Sequence, residues 1–292
     1  MRNNKRFMRL MTLPALLVFL FLGVYPTIQA FYNSLTYYKL TEIGTKKFVF
    51  LDNYIQMFTN VRFWEALGRT VIFVVASVFF TYLLGLIISI VINQAHKCRN
   101  LFRIIFLIPM IIAPTITALN FKFMYNNNFG IFNHILNKFG FGSIDFLGDP
   151  SVSLLSTLLV DIWQGVPMPV LILLAGLESL SESYYEAARL DGASSWQCFR
   201  YITFPLLNKF SVIVIILRAM DSLKVYENIQ LLTSGGPGTS SETLNIYITK
   251  VGFNWFDMGY ASALGIFTLY FIMFITNRIV KATGIFSSKE MA

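Results

Sequence analysis

Long apolar stretches dominate the pattern of hydrophobic and polar positions along the chain. Six of them have about the 20 residues that a helix needs to cross the hydrocarbon core of a bilayer, and they cover residues 13–30, 70–93, 104–125, 151–176, 210–232 and 258–281. Residues 177–209, between the fourth and fifth stretches, form a longer and more polar segment. We therefore predict an all-α polytopic membrane protein with six transmembrane helices, folded as one domain over residues 1–292.

The composition agrees with a membrane environment. Hydrophobic residues make up 55% of the 292 residues and charged residues 13%, whereas about a quarter of the residues in a typical soluble domain are charged. A formal net charge of +8 can indicate nucleic-acid binding, but in so apolar a chain basic residues are expected at the cytoplasmic ends of helices. We therefore expect contact with lipid and no nucleic-acid partner.

Lysine and arginine in the short loops predict which loops face the cytoplasm, because cytoplasmic loops carry the excess of positive charge. Basic residues are concentrated before residue 10, between residues 97 and 103, and in the tail at Arg278, Lys281 and Lys289, whereas segments 126–150 and 233–257 contain one each. Both termini are therefore predicted to be cytoplasmic, and so are Cys98 and Cys198. Segment 36–69 disagrees with this scheme, since it is assigned to the outside and contains five basic residues.

The first apolar stretch follows basic residues, as the apolar part of a signal peptide does, but no small-residue cleavage site precedes Tyr25 and Pro26. A retained membrane anchor is therefore predicted. Prolines interrupt three stretches, at Pro14, Pro26, Pro109, Pro114, Pro167 and Pro169. Each removes a backbone donor and bends its helix, which favours a moving or pore-lining bundle. Ordinary kinked packing is the alternative.

The polar segment 177–209 contains two candidate capping boxes. In such a box a serine side chain accepts from the amide three residues later, and a Glu or Gln at that position reaches back. Ser183 with Glu186, and Ser194 with Gln197, have this spacing. Gly192 suits the left-handed residue that ends a helix. The segment therefore predicts a helical hairpin at the membrane surface.

A helical hairpin of this kind can also bind the major groove of DNA. Its position between two membrane spans leaves no room to hold a duplex. The groove of a partner protein is a better fit, because short helices with exposed apolar residues dock in such grooves.

Several motifs carry a resemblance to a known family. Residues 186–193, Glu-Ala-Ala-Arg-Leu-Asp-Gly-Ala, followed by Pro-Leu-Leu at 205–207, resemble the EAA loop of permease subunits in ATP-driven, binding-protein-dependent importers. Trp-Gln-Gly-Val-Pro at 163–167 and Leu-Thr-Ser-Gly-Gly-Pro-Gly at 232–238 resemble the carbohydrate-uptake branch, the class of the maltose and glycerol-3-phosphate importers. The second motif is typical of the first of two permeases. One departure is Phe204, where the family commonly has leucine.

The resemblance implies a set of partners in a prokaryotic inner membrane. They are a second homologous permease, a dimeric cytoplasmic ATPase that binds ATP and Mg, an extracytoplasmic solute-binding protein and a carbohydrate substrate. No cofactor or metal is expected on this chain itself. The residues implied to contact the ATPase are Glu186, Ala187, Ala188, Asp191, Gly192 and Phe199, and the loop on the binding-protein side contains Gly235, Gly236 and Pro237. Glu186 and Gly192 have a second interpretation, as purely local helix caps.

Charged residues recur at every third position of the fifth apolar stretch: Arg218, Asp221, Lys224 and Glu227. On one continuous helix they would form a ladder of alternating charge. Intramembrane charges pair with one another or line a polar path, so the ladder either packs against the partner permease or lines the translocation path. Other polar residues that could bind sugar hydroxyls are Asn120, Asp161, Gln164 and Asn228.

The sequence contains no pattern of catalytic or nucleotide-binding residues that would indicate an enzyme. The phosphate-binding motif GxxxxGK[ST] is absent, and neither His96 and His134 nor the two separated cysteines have neighbours that would complete a triad or a metal site. The alternative function is a secondary transporter that uses an ion gradient through the charges of the fifth stretch. Such transporters commonly contain paired broken helices in inverted repeats, which we do not find here.

Overall fold

The computed structural model describes residues 2–42, 44–95 and 99–283. His96, Cys98 and Lys289 lie outside the described residues, so the predicted loop position of His96 and the predicted cytoplasmic position of Cys98 stay predictions. The described residues form two compact units, one made of those up to residue 65 and of 247–271, and the other made of those between 66 and 246 and of 272–283. The single domain over 1–292 likewise stays a prediction.

Helices make up most of the described chain. The first part contains α1 (Arg2–Phe19), α2 (Tyr25–Ser34), β1 (Thr36–Tyr37), β2 (Lys47–Phe48), α3 (Asp52–Thr59) and α4 (Val61–Gln94). The middle part contains α5 (Arg99–Ile111), α6 (Pro114–Met124), α7 (Ile131–Lys138), α8 (Ser153–Gly165), α9 (Pro167–Glu178), α10 (Glu182–Leu190), α11 (Ser195–Cys198) and α12 (Phe204–Leu206). The last part contains α13 (Asn208–Ser222), α14 (Glu227–Leu232), α15 (Leu244–Thr249) and α16 (Met258–Thr283).

The first unit contains a small departure from the all-α prediction. Strands β1 and β2 pair antiparallel, with Thr36 opposite Phe48 and Tyr37 opposite Lys47. The Asn53 side chain of α3 is buried and donates hydrogen bonds to the carbonyls of Ser34 (2.8 Å) and Thr36 (2.9 Å). This amide satisfies backbone acceptors that a two-residue strand leaves open, and it joins the strand pair to α3.

The core of the second unit lies where α4, α8, α9, α14 and α15 meet. Phe73 of α4, Ile162 of α8, Val170 of α9, Ile229 of α14 and Ile246 of α15 belong to one buried cluster. Part of each of these apolar stretches therefore packs against other helices of the unit and is not available to contact lipid.

Four helical segments of the described chain are long and apolar enough to cross a membrane: Met11–Ser34, Val61–Gln94, Ser153–Glu178 and Met258–Lys281. Two bent pairs raise the number to as many as six, namely Arg99–Ile111 with Pro114–Met124 (93°) and Ser195–Leu206 with Asn208–Ser222 (63°). The structure therefore agrees with a polytopic, mainly α-helical membrane protein.

The third apolar stretch, predicted as one helix over 104–125, is broken between α5 and α6. The break lies at Ala113, which adopts an extended backbone (φ −59°, ψ 138°) immediately before Pro114. A proline disfavours the helical conformation of the residue before it, and its own fixed φ suits the first turn of the next helix. Pro109, in contrast, lies inside α5.

The fifth apolar stretch, predicted as one helix over 210–232, is also interrupted. Helix α13 ends at Ser222 and α14 begins at Glu227. The Asn245 side chain donates hydrogen bonds to the carbonyls of Leu223 (3.0 Å) and Val225 (3.3 Å) in the gap. An unpaired carbonyl away from water is unfavourable, so the hydrogen bonds from this side chain stabilise the interrupted helix.

Helices α4 and α9 approach closely at Gly85, where a Cβ atom would overlap Cβ of Pro169 and lie 3.4 Å from the Val170 amide nitrogen. We expect Gly85→Ala to lower the free energy of unfolding by about 1–3 kcal/mol, because overpacking forces rigid neighbours apart. Thermal unfolding of the protein purified in detergent measures this change.

Gly68 provides the matched control, since it lies on the same helix and a Cβ there would meet no atom within 4 Å. Gly68→Ala is expected to leave stability unchanged or to raise it by up to about 1 kcal/mol through helix propensity. Equal unfolding temperatures for the two variants would contradict the close approach.

Candidate functional site

The first helix of the hairpin starts two residues earlier than predicted. Helix α10 begins at Glu182, and Ser181 with its extended backbone (φ −67°, ψ 133°) is the N-cap. The predicted capping box of Ser183 and Glu186 is therefore wrong, because Ser183 already lies in the first turn. Its hydroxyl is 2.7 Å from the Ser181 hydroxyl instead.

The end of α10 agrees with the prediction. Gly192 has a φ of +77°, the Ala193 amide donates to the Ala188 carbonyl (2.9 Å) and the Gly192 amide donates to the Arg189 carbonyl (3.0 Å). This is the left-handed helix end that glycine favours. A Cβ at Gly192 would meet no atom within 4 Å, so glycine is required here by the backbone conformation and not by space within the chain.

The second helix of the hairpin has the predicted capping box. The Ser194 hydroxyl accepts from the Gln197 amide (3.3 Å), and the Gln197 side chain accepts from the Ser194 amide (2.7 Å). A wide turn, Phe199–Thr203, follows α11 and leads into α12, which contains Pro205. The Tyr185 hydroxyl lies 2.9 Å from the Thr203 hydroxyl and links α10 to the end of this turn.

The surface of the hairpin contains most of the residues predicted to contact an ATPase. Glu186, Ala187, Asp191 and Gly192 are exposed, whereas Ala188 and Phe199 are half-buried. Within the described residues the Glu186 carboxylate makes no hydrogen bond or ion pair. Its side chain is therefore available on the surface rather than used in a cap.

Sequence reasoning did not select the most exposed apolar side chains of the hairpin. Leu190 is 90% exposed, Tyr201 75% and Trp196 69%. The sequence does contain a signal for Leu190, which lies inside the EAA-like motif at the end of a helix. A large apolar residue that is exposed in this way indicates a docking contact.

An ion-pair cluster lies where α9 ends, at the beginning of segment 177–209. Arg99 Nη2 lies 2.8 Å and Arg103 Nη2 3.0 Å from Glu178 Oε1, which joins the start of α5 to the end of α9. The side chains are about one-third exposed, so each pair contributes modestly to stability. The basic residues at 97–103 entered the sequence analysis only as topology signals, and this positioning role was missed.

Among the charged residues of the fifth stretch, Arg218 is buried, with a side chain that is 2% exposed. Its Nη1 donates to Asp221 Oδ2 (2.6 Å) and its Nη2 to Asp161 Oδ2 (2.9 Å). The contact of Arg218 with Asp221 was predicted, and the second contact reaches α8. Ser77 and Ser222 add hydroxyl contacts to the same guanidinium.

The predicted four-residue ladder is wrong, because the helix that would have held it ends at Ser222. Lys224 lies in the gap and Glu227 begins α14. Both side chains are exposed, and within the described residues neither makes a side-chain hydrogen bond or ion pair. The four charges therefore separate into one ion pair, between the buried Arg218 and the exposed Asp221, and two groups outside that pair.

Gly165 explains how a buried guanidinium fits against α8. A Cβ at this position would lie 2.6 Å from Cζ and 2.7 Å from Nη2 of Arg218. Only glycine allows the helix backbone to approach so closely. The sequence analysis used Gly165 only as part of a family motif, and nothing local indicated that an arginine 53 residues later occupies its side-chain space.

A cavity of about 710 Å³ lies beside this cluster. Five of the residues predicted to line a path meet there: Asp161, Arg218, Asp221, Lys224 and Glu227. Asn120 does not join them, because it lines a second cavity of about 440 Å³ together with Phe121, Phe123 and Trp163. The structure thus brings together all but one of the predicted polar residues.

The glycine-rich loop after α14 has a defined shape. Gly235 and Gly238 have φ values of +84° and +60°, and the Ser241 hydroxyl donates to the Gly236 carbonyl (2.8 Å). Gly236 and Pro237 are half-buried and Gly235 is buried. Contact of this loop with a binding protein stays a prediction. Among the described residues no group of three His, Cys, Asp or Glu is arranged to hold a metal ion.

We expect Asp161→Asn to destabilise the protein more than Asp221→Asn. The Asp161 side chain is 10% exposed and that of Asp221 is 70% exposed. Removing one charge of a buried pair costs about 3–5 kcal/mol, whereas an exposed pair contributes about 1 kcal/mol or less. Thermal unfolding in detergent at neutral pH compares the two variants, and a larger loss in Asp221→Asn would contradict the assignment of Asp161 as the main partner.

The chain resembles known proteins over nearly its whole length. Residues 5–283 match the family described as binding-protein-dependent transport system inner membrane component. The chain is 36% identical to the trehalose/maltose transport system permease protein MalF of Thermococcus litoralis, over 91% of this chain and 90% of that protein. It is 31% identical to the sulfoquinovosyl glycerol transport system permease protein SmoG of Agrobacterium fabrum, over 91% and 87%.

A solved structure shares the fold. One chain of a bacterial ABC transporter involved in the import of the acidic polysaccharide alginate matches with a TM-score of 0.85 at 23% identity, over 98% of both chains. At this identity the likeness concerns the fold alone. The family resemblance of the motifs at 163–167, 186–193 and 232–238 is confirmed, and the chain belongs to the family of binding-protein-dependent transport system inner membrane components.

Proposed function

We propose that this chain is a membrane-spanning permease subunit of an ATP-driven importer for a carbohydrate, and that it forms the translocation path together with a second homologous permease. The sugars in the names of the relatives support the substrate class. The observation that carries the proposal is the hairpin, which presents a free Glu186 carboxylate and a 90% exposed Leu190 beside a fixed left-handed glycine. ATP and Mg bind to the separate ATPase, and an extracytoplasmic binding protein delivers the substrate.

The proposed topology has six spans in a prokaryotic inner membrane, with both termini and the hairpin in the cytoplasm. Helices α5 and α6 form one broken span. The fifth crossing consists of α13 and α14, since the 15 residues of α13 cover only about 22 Å at 1.5 Å per residue. Helices α11 and α12 then belong to the hairpin and not to a span.

The hairpin is proposed to dock on the ATPase through Glu186, Ala187, Ala188, Asp191, Gly192 and Phe199. Phe199 packs against the apolar cluster of α4, α9 and α13, and it would hold the second helix while the first enters a cleft. ATP closes the ATPase dimer, and the closed dimer fits one arrangement of the two hairpins. Differential binding of this kind shifts the permeases toward the outward-open state.

The 710 Å³ cavity is proposed as part of the translocation path. Its exposed charges at Asp221, Lys224 and Glu227 face space that the second permease would complete, while Asp161 and Arg218 fix its wall. Asn120 is proposed as a separate polar contact in the smaller cavity. The loop at Gly235, Gly236 and Pro237 is proposed to face the binding protein.

We expect Glu186→Gln to reduce retention of the ATPase without loss of the fold. Glu186 takes no part in the helix cap, so glutamine leaves α10 intact and removes only the negative charge. Copurification of the ATPase with the tagged permease pair in detergent measures the effect, which should be about tenfold if the carboxylate meets a basic residue.

Glu182→Gln is the matched control, because Glu182 is exposed on the same helix but lies outside the motif. It should retain the ATPase. Gly192→Asp should lose the ATPase as well, since an aspartate opposes the positive φ and adds a charge. Full retention in both Glu186→Gln and Gly192→Asp would show that the hairpin is not the coupling element.

Uptake by the complete assembly in proteoliposomes is expected to need ATP on the cytoplasmic side and the binding protein on the other. It should survive collapse of proton and sodium gradients while ATP is maintained, because the ATPase supplies the free energy. Transport by this chain alone, driven by an ion gradient, would instead favour a secondary transporter.

A further inference from the structure

Helix α7 and the turn after it expose an apolar surface that neither the proposed path nor the hairpin uses. Ile131 and Ile135 of the helix are each nearly half exposed, and Phe139 and Phe141 at its end are 73% and 77% exposed. A cluster of exposed apolar side chains marks a contact with a protein or with a membrane. We call these four residues the α7 apolar face.

Hydrogen bonds hold the α7 apolar face in a defined shape. Gly140 has a φ of +81°, and the amide of Phe141 donates to the Leu136 carbonyl (3.0 Å), as at a Schellman helix end. The buried side chain of Asn133 makes two hydrogen bonds with the backbone of Ile144 (2.8 and 3.0 Å). The exposed phenylalanines therefore belong to a hydrogen-bonded turn and not to a loose loop.

Aromatic contacts fix α7 at the end of α6. The Phe132 ring lies 5.2 Å from the ring of Tyr125, the residue that directly follows α6. The Phe146 ring lies 4.8 Å from the same tyrosine ring, and only residues 125–130 separate α6 from α7. Because α6 belongs to a membrane span of the proposed topology, α7 then lies at the outer boundary of the bilayer.

The side chains of α7 divide into sectors around the helix axis, at about 100° per residue. The sector that packs against the rest of the chain contains the least exposed residues, Phe132, Asn133 and Leu136. On one flank of it lie Ile131 and Ile135, and beyond them, on the side away from the rest of the chain, lie the exposed His134 and Lys138. An apolar flank beside a basic one is typical of a helix that lies in the plane of a membrane surface.

The charges of α7 also suit a phospholipid surface. Lys138 is the charged residue of the helix, which contains no Asp or Glu. The carboxylates in the following turn are already used locally, because Asp145 accepts from the Gly148 amide (2.9 Å) and Asp149 from the Ser151 amide (2.8 Å). A lysine at the level of the headgroups attracts anionic lipid. Position and charge together therefore favour phospholipid over a soluble protein as the occupant of this surface.

We infer that α7 is an interfacial helix, with the α7 apolar face inserted into the outer leaflet of the bilayer and Lys138 at the level of the phospholipid headgroups. The inference rests on the proposed topology and goes beyond the proposed function, since it concerns neither the substrate nor the ATPase. Because Phe132 packs against Tyr125, a helix held by lipid in this way would fix the outer end of α6.

The test measures which side chains of α7 meet lipid in the complete importer, reconstituted without its binding protein in vesicles of phosphatidylcholine and phosphatidylglycerol. The chain contains Cys98→Ser and Cys198→Ser, and a nitroxide label is attached to Ile135→Cys. Asn137→Cys is the matched control, because Asn137 is exposed on the same helix outside the apolar face. Power saturation in electron paramagnetic resonance reports collisions of the label with oxygen, which is enriched in hydrocarbon, and with a polar nickel chelate, which stays in water.

The label at residue 135 should collide severalfold more often with oxygen than with the nickel chelate, and the label at residue 137 should show the reverse. Ile131→Cys lies on the same flank as Ile135, should behave like it, and decides the matter if Ile135→Cys does not assemble. An impermeant maleimide should modify Asn137→Cys in right-side-out membrane vesicles. Reaction only in inside-out vesicles overturns the placement in the outer leaflet.

Three other results overturn the lipid contact. Nickel accessibility at residues 131 and 135 equal to that at residue 137 means that the surface faces water. Low collision rates with both reagents that rise when the second permease is left out mean that this permease covers the surface. A loss of oxygen collisions on addition of the binding protein means that the binding protein is the occupant. None of these results depends on ATP-dependent uptake, which tests the proposed function separately.

Discussion

The buried contact between Arg218 and Asp161 is the constraint on which the second unit depends. A guanidinium that is 2% exposed in an apolar unit must have its charge matched. Asp161 provides the charge from α8, and Gly165, one turn further on the same helix, provides the space. These two requirements fix the rotation and the distance of α8 relative to α13, and with them the wall of the cavity.

The absence of water in a bilayer also restricts where a helix can be interrupted. Each break frees backbone carbonyls that lipid cannot satisfy, and a side-chain amide meets them in both cases. Asn245 donates to the carbonyls in the gap before α14, and Gln164 donates to Ile112 in the gap before α6. Polar residues that look misplaced in an apolar sequence therefore have a structural reason, and the cavity forms where the interrupted helices leave room.

The sequence predicted features that neighbouring residues determine. Gly192 and the box of Ser194 with Gln197 depend on contacts within five residues, and the structure agrees with both. The spacing to Glu186 favours Ser183 as the cap, whereas α10 begins directly after Ser181, so the spacing of a capping box does not by itself determine where a helix starts. The pairing of Arg218 with Asp161 spans 57 positions, and the gap before α14 depends on Asn245, so neither follows from local spacing. The prediction of one continuous helix over 210–232 is wrong for this reason. The apolar pattern of the stretch contains no information about a side chain more than ten residues away.

Helices α8 and α9 connect the two candidate functional regions in the proposed importer. They form one segment, Ser153–Glu178, because Val166 keeps a helical backbone between Gly165 and Pro167. Asp161 near its middle holds Arg218 at the cavity, and Glu178 at its end holds Arg99 and Arg103 beside the hairpin. The two carboxylates are about 26 Å apart along the helix at 1.5 Å per residue. In the proposed importer, a continuous helical segment with ion pairs at both regions would carry displacement of the hairpin to the cavity wall, whereas a loop would absorb it.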